Sequence, residues 1–246
     1  ARFILGDLRR PDGRLLRSRR AGRGSVPAFC EDYGAVALGL LALYRATGGA
    51  EWYRAAAEMV EAMVALFRDP EDGAFFTTGR DAPLSPARRK DFSDHPGPSA
   101  IGLAAEALLT LGAYSGEPQF RARAEQVWRA AGPRLERAPH ALPYLLAVLL
   151  TAHGPQRQVA VVGPVDDPRT RALRAAAEGE YRPGLAVALG DGLHDGGVPL
   201  LAGRALPGGR PAAYVCDALA CAAPTGDPAE LSRLLSGLFR VTHPGA

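Results

Sequence analysis

Two stretches of this 246-residue chain gather side chains that can exchange protons. Glu31-Asp32-Tyr33 sets two carboxylates and a phenol in a row, and Asp94-His95-Pro96-Gly97-Pro98-Ser99 sets a carboxylate, an imidazole and a hydroxyl in one short loop. Carboxylates and a His around one cavity can do acid–base work on a sugar. The same residues have a plainer use. A carboxylate in a first helical turn stabilises the helix dipole, and Ser is a favoured N-cap. Spacing alone gives capping at least equal weight. A third group is Cys216 and Cys221. Their spacing is not the C-x-x-C of a redox motif, and no second ligand pair for zinc accompanies them. Buried structural thiols rank first among their readings, a regulatory disulfide second and zinc last. No nucleophile elbow, dinucleotide fingerprint or phosphate loop occurs. The residues therefore point to no metal and no cofactor.

The elements that must position these groups are mainly helical. Val36, Leu40, Leu43 and Tyr44 follow three-and-four spacing, as do Tyr53, Ala56, Ala57, Val60 and Val64 beyond Gly48-Gly49. That pattern predicts a helical hairpin from Glu31 to about Arg68. Asp69-Pro70-Glu71-Asp72-Gly73 turns the chain, Ala74 to Thr78 reads as a short strand, and a loop of roughly 20 residues, long for a compact domain, runs to Pro98. A second hairpin is expected from Ser99 to Leu135. It repeats the first: Leu40-Leu41-Ala42-Leu43 aligns with Leu108-Leu109-Thr110-Leu111, Thr47-Gly48 with Ser115-Gly116, Trp52 with Phe120 and Ala56 with Ala124, always 68 residues apart. A constant offset marks a repeated supersecondary unit, which stacks into a solenoid or closes into a toroid. A further helix is expected from Pro139 to Ala152. Residues 1–30, with Pro11-Asp12-Gly13 at their centre, read as an arm or hairpin. Residues 154–246 read as a small α/β segment, with strands at Gln158–Val162, Leu185–Leu189 and Ala212–Cys216 and helices at Thr170–Glu178 and Asp227–Phe239. The order strand, helix, strand predicts a parallel pair.

Composition narrows the function classes. The chain is 47% hydrophobic and 22% charged, so it is expected to fold around a core. No apolar run is long enough for a bilayer, and no membrane association is expected. The net charge of +3 is too small for a nucleic-acid footprint. The basic run from Arg9 to Arg23 reads as solvated surface, since no aromatics interleave to stack on bases. Three cysteines without a leader point to a reducing cytoplasm.

Several of these motifs, in this order, resemble the thioredoxin-domain-containing proteins that include the spermatogenesis-associated members and their bacterial relatives. Glu31-Asp32-Tyr33 with the helix through Thr47 is similar to that family's Glu-Asp-Tyr helix. Asp72-Gly73-Ala74-Phe75-Phe76-Thr77-Thr78 is similar to its Gly-Phe-Phe hairpin, Asp94 with Pro98-Ser99 to its Asp-Gly-x-x-Pro-Ser loop, and Tyr214-Val215-Cys216 with Cys221 and Pro224 to its C-terminal Cys pair. The resemblance implies a partial (α/α)6 toroid over 31–153, similar to N-acylglucosamine 2-epimerases and six-hairpin glycosidases, with the α/β segment behind it. It implies a carbohydrate or other small-molecule site: Asp94, Glu31, Asp32 and His95 as catalytic candidates, Tyr33, Phe75, Phe76 and Ser99 against the substrate, and Cys216 and Cys221 in redox chemistry. It also implies a thioredoxin-like domain ahead of Ala1, for which the chain would otherwise be a non-catalytic helical scaffold. The family's Pro-Ser-Gly-Asn run reads Pro98-Ser99-Ala100-Ile101 here, which removes an amide donor and acceptor from the presumed rim.

Overall fold

The computed structural model describes residues 1–19, 24, 26–82, 87–217 and 221–237. In chain order these form α1 (Arg2–Asp7), α2 (Cys30–Thr47), α3 (Ala50–Phe67), α4 (Ala100–Ser115), α5 (Pro118–Arg137), α6 (Pro143–His153), β1 (Arg157–Val162), α7 (Pro168–Glu178), β2 (Leu185–Gly190), β3 (Ala212–Asp217) and α8 (Pro228–Ser236). The chain is mainly helical, with one small mixed sheet near its C-terminal end.

The two hairpins form where the 68-residue offset places them. Thr47 ends α2 and Ser115 ends α4; Ala50 begins α3 and Pro118 begins α5. Each turn is made by a glycine in the left-handed region, Gly48 at φ 72° and Gly116 at φ 71°, where a Cβ would clash with the chain. The buried face of α3 is Tyr53, Ala56, Met59, Val60, Met63 and Phe67, and that of α5 is Phe120, Ala124, Val127 and Ala131. Both stripes keep the helical period, which leaves the charged residues of α5 outside.

The repeat extends to how helices meet. Gly34 on α2 touches Leu103 on α4, where an added Cβ would lie 3.0 Å from the Leu103 Cβ. Gly102 on α4, one offset later, touches Tyr144 on α6, where an added Cβ would lie 2.8 Å from the ring. The first helix of the first hairpin thus meets α4, and the first helix of the second meets α6, on glycines one offset apart.

The chain forms two compact units. One comprises Ala1–Ala42, Glu51–Gly112 and Glu117–Leu150; the other comprises Leu43–Ala50, Ala113–Gly116 and Thr151–Ala246. In the second unit the sheet has the order β2-β1-β3, with β1 parallel to β2 through the α7 crossover and antiparallel to β3. Val159, Val161, Val187, Ala213 and Val215 pack with Leu173 and Ala177 of α7 and Leu231 and Leu235 of α8. Ala160, Val162 and Ala188 on the opposite face are buried as well. A strand covered on both faces reads as a continuous apolar run, and Val159 to Val162 is one. Asp167 caps α7 and Asp227 caps α8, each ahead of a Pro at the first helical position.

Several local expectations need correction. Phe3-Ile4-Leu5 lies in helix α1; the hairpin pairing begins only after it, where Arg9 bridges Leu15 around the Pro11-Asp12-Gly13 turn. Arg14 is not solvated surface. Only 6% of it is exposed, and it donates through Nη1 to the Tyr33 hydroxyl at 3.0 Å and through Nε to Asp81 at 2.7 Å. Arg9, Arg10, Arg17 and Arg19 do lie at the surface in ion pairs, while Arg20 and Arg23 fall outside the described residues. The strand expected at Ala74–Thr78 is a single bridge from Phe75 to Arg68. Pro143 lacks the N–H that would continue the chain from Pro139 as one helix. A 3-10 turn at Pro139–Ala141 stands there instead, and α6 starts afresh. The last helix closes at Ser236, and Phe239 lies outside the described residues.

Candidate functional site

Asp94 joins two helix starts. One carboxylate oxygen accepts the N–H of Ser99 at 2.8 Å, ahead of α4, and the other accepts the N–H of Tyr144 at 2.7 Å, in the first turn of α6. Ser99, 4% exposed, in turn accepts the Gly102 N–H on its Oγ at 3.2 Å. These amides are among the four that a helix start leaves without an internal partner. Both carboxylate oxygens are therefore engaged with backbone. His95 is exposed, with Nε2 3.3 Å from Asp91.

At the start of α2, Asp32 accepts the Phe29 N–H at 2.8 Å. It stands third in the helix and reaches back to the amide before it, the acidic half of a capping box. Glu31 pairs with Arg17 at 2.9 Å on the surface. Tyr33 is fully buried; its hydroxyl accepts the Leu15 N–H at 2.8 Å and the Arg14 Nη1. Phe75 is fully buried too. Phe76 is half-buried, with the Arg88 guanidinium 4.0 Å and the Lys90 ammonium 4.9 Å from its ring centre. Lys90 in turn bonds Asp69 at 2.5 Å and Asp72 at 2.7 Å, and this hydrogen bond, with the Glu71 amide, holds the Asp69 carboxyl below its ordinary range. No hydrogen bond or ion pair joins Glu31 or Asp32 to Asp94 or His95 among the described residues.

Sequence reasoning missed Glu106 and Tyr144. The Tyr144 hydroxyl donates to Glu106 from the neighbouring helix. Burial, with the Glu106 carboxylate beside it, pushes the phenol above its ordinary value, so it stays protonated. The signal was present: Glu106 is the only charged residue in the sixteen of α4, and a charge on an apolar helix needs a partner. A cleft of about 360 Å³ lies beside the Asp94 loop, lined by Ser93, Arg134, Arg137, Ala138, Ala141 and Leu142. Its charged walls are cationic, and none of the proton-exchanging candidates lines it.

Cys216 and Cys221 are joined in a disulfide, which corrects the ranking of free thiols above a bridge. They stand opposite each other where the chain returns beside β3, and Ala222 N–H bonds the Val215 carbonyl at 2.8 Å. Cys30 is free and buried, and burial pushes its thiol up, which leaves it unreactive. No group of three His, Cys, Asp or Glu among the described residues is placed to hold a metal ion, and no described helix is long and apolar enough to cross a membrane.

Across 91% of its length the chain aligns with known proteins. It is similar to spermatogenesis-associated protein 20. Identity is 30% over 239 residues to the Mus musculus protein and 30% over 236 residues to the Homo sapiens protein. An uncharacterized Caenorhabditis elegans protein is 27% identical over 219 residues, 87% of this chain and 29% of that protein. The chain spans about 30% of the length of spermatogenesis-associated protein 20. No family model matches it.

Proposed function

We propose that this chain is a non-catalytic helical scaffold within a longer protein, contributing consecutive hairpins to an (α/α)6 array that supports a thioredoxin-like partner domain. One observation carries the non-catalytic part: Asp94 and Asp32, the best-placed acid–base candidates, bind backbone amides at helix starts. Carboxylates so engaged hold the hairpins in position: Asp94 has both oxygens on backbone amides, and Asp32 has one on the Phe29 amide. The array is supported by the equivalent contacts of Gly34 and Gly102 and by α6, which has no Asp, Glu, Lys or Arg although Leu150 on it is 76% exposed. A helix apolar on all sides is one that neighbours cover. That the matched relatives are about three times longer than the aligned segment agrees with further hairpins and a partner domain.

Thermal unfolding with N-acetylglucosamine, N-acetylmannosamine, glucose and mannose at millimolar concentration tests the reading. No sugar is expected to raise the Tm. A second reading, an epimerase- or glycosidase-like site, draws on Glu106 and Tyr144, a half-buried carboxylate and phenol beside Asp94. A sugar that stabilises the parent and not Glu106→Gln would overturn the scaffold reading in its favour.

A further inference from the structure

We infer that Cys216 and Cys221 form a thiol–disulfide exchange site whose reduced form is stabilised by Arg204, and that its substrate class is a dithiol. Arg204 Nη2 lies 3.3 Å from the Sγ of Cys216 and 3.3 Å from the Sγ of Cys221. Among the described residues the hydrogen bonds of the Arg204 guanidinium go to these two sulfurs, and its Nε is buried without a partner. A neutral disulfide gives a guanidinium no counter-charge; a thiolate at the same position does. The neighbourhood fixes that placement. The Tyr214 ring lies 5.0 Å from the guanidinium carbon, its hydroxyl bonds the Ala205 carbonyl at 2.8 Å, and the Arg204 N–H bonds Leu201 at 3.0 Å. The two sulfurs differ in access, because Cys221 is exposed and Cys216 is 6% exposed.

That asymmetry sets the order of events. A thiolate of the incoming dithiol attacks the exposed Cys221 Sγ. A new S–S bond forms, the Cys216–Cys221 bond breaks, and its electron pair leaves on Cys216 Sγ beside Arg204. The second thiol of the dithiol loses its proton to water and attacks the dithiol's first sulfur, which releases Cys221 as a thiolate that water protonates. The dithiol is oxidised to a disulfide by two electrons and the protein pair is reduced by the same two, with Cys216 retained as thiolate or protonated from water according to pH. Charge stabilisation of the reduced form makes the pair a better oxidant than the same cysteines without the arginine.

The test equilibrates the intact chain with reduced and oxidised dithiothreitol, traps thiols by alkylation and maps them by peptide mass, which keeps Cys30 separate. We expect reversible reduction, a fall of about tenfold in the reduction equilibrium constant for Arg204→Gln, equivalent to ~30 mV, and near-parental behaviour for Arg204→Lys. In the reduced parent, iodoacetamide should modify Cys216 with a midpoint pH below that of an ordinary thiol at about 8.5. Arg204→Gln should move that midpoint up. An equilibrium constant unchanged in Arg204→Gln overturns the inference, as does an ordinary alkylation midpoint in the parent, which can be read even if the variant does not fold. Two free thiols after oxidation overturn it too. The sugar measurements are independent of these, so either proposal can fail alone.

Discussion

Asp94 contacts two first turns through two oxygens, so its removal exposes more than one defect. A lost helix cap costs about 0.5–2 kcal/mol. Asp94→Ala is expected to lose about 1–3 kcal/mol in urea unfolding, because α4 and α6 both lose an acceptor. Glu31→Ala removes a surface pair with Arg17 and one of the two first-turn carboxylates of α2, and should cost less than about 1 kcal/mol. Equal losses in the two variants would contradict the assignment of Asp94 to helix ends. The residue types at these positions were legible in the sequence, and so was the ambiguity between capping and catalysis. The capping partner itself was not legible: Asp94 and Tyr144 are 50 residues apart, and no local pattern connects them. Arg14 was misread for a related reason: its partners Tyr33 and Asp81 lie 19 and 67 residues away.

At the scale of elements, glycines on the first helices decide how closely hairpins stack. Alanine is favoured over glycine inside a helix by up to about 1 kcal/mol. At Gly39 on α2 an added Cβ would meet nothing within 4 Å, so Gly39→Ala should raise stability by that amount. At Gly102 the Cβ would lie 2.8 Å from the Tyr144 ring. That ring cannot tilt away freely, since its hydroxyl is held by Glu106 and its backbone by Asp94. Gly102→Ala should therefore lose about 1–3 kcal/mol through overpacking. Chemical denaturation of the two variants reads the difference, and a gain at both positions would show that α6 does not seat on Gly102. The hairpin bounds were readable from period, glycine turns and the 68-residue offset. The start of α6 was not, because Pro139 and Pro143 both look like first helical residues, and Asp94 contributes the bonds to Tyr144 N and Ala141 O that fix the second.

For the whole molecule, acid is the condition that reaches many contacts at once. The Lys90 hydrogen bond holds the Asp69 carboxyl low; the Arg169 side chain does so for Asp167, and the His194 amide for Asp191. A carboxyl whose folded pKa lies below its unfolded value adds stability that is complete above the unfolded pKa, near 3.9. That stability is lost as pH falls through the folded pKa. The chain should thus lose stability below about pH 4 and hold it in the range just above. Asp69 is the most enclosed of the three, at 7% exposure, so Asp69→Asn should flatten part of the acid slope. An acid profile identical to the parent's in a Tm series from pH 2.5 to 6 would remove Asp69 from that account.

By itself the sequence determined most of the elements: helices from a 3.6-residue period, their turns from Gly48 and Gly116, the repeat from a constant offset, and the buried strands from unbroken apolar runs. These are local properties, set by neighbours a few residues apart. Tertiary structure decided the partners. It gave Asp94 to Ser99 and Tyr144, Glu106 to Tyr144, Tyr33 to Arg14, and Arg204 to a bridged Cys216 and Cys221. A side chain's charge and donors are written in its type, but whether they meet a backbone amide, a buried guanidinium or solvent depends on which distant segments packing brings within about 3 Å.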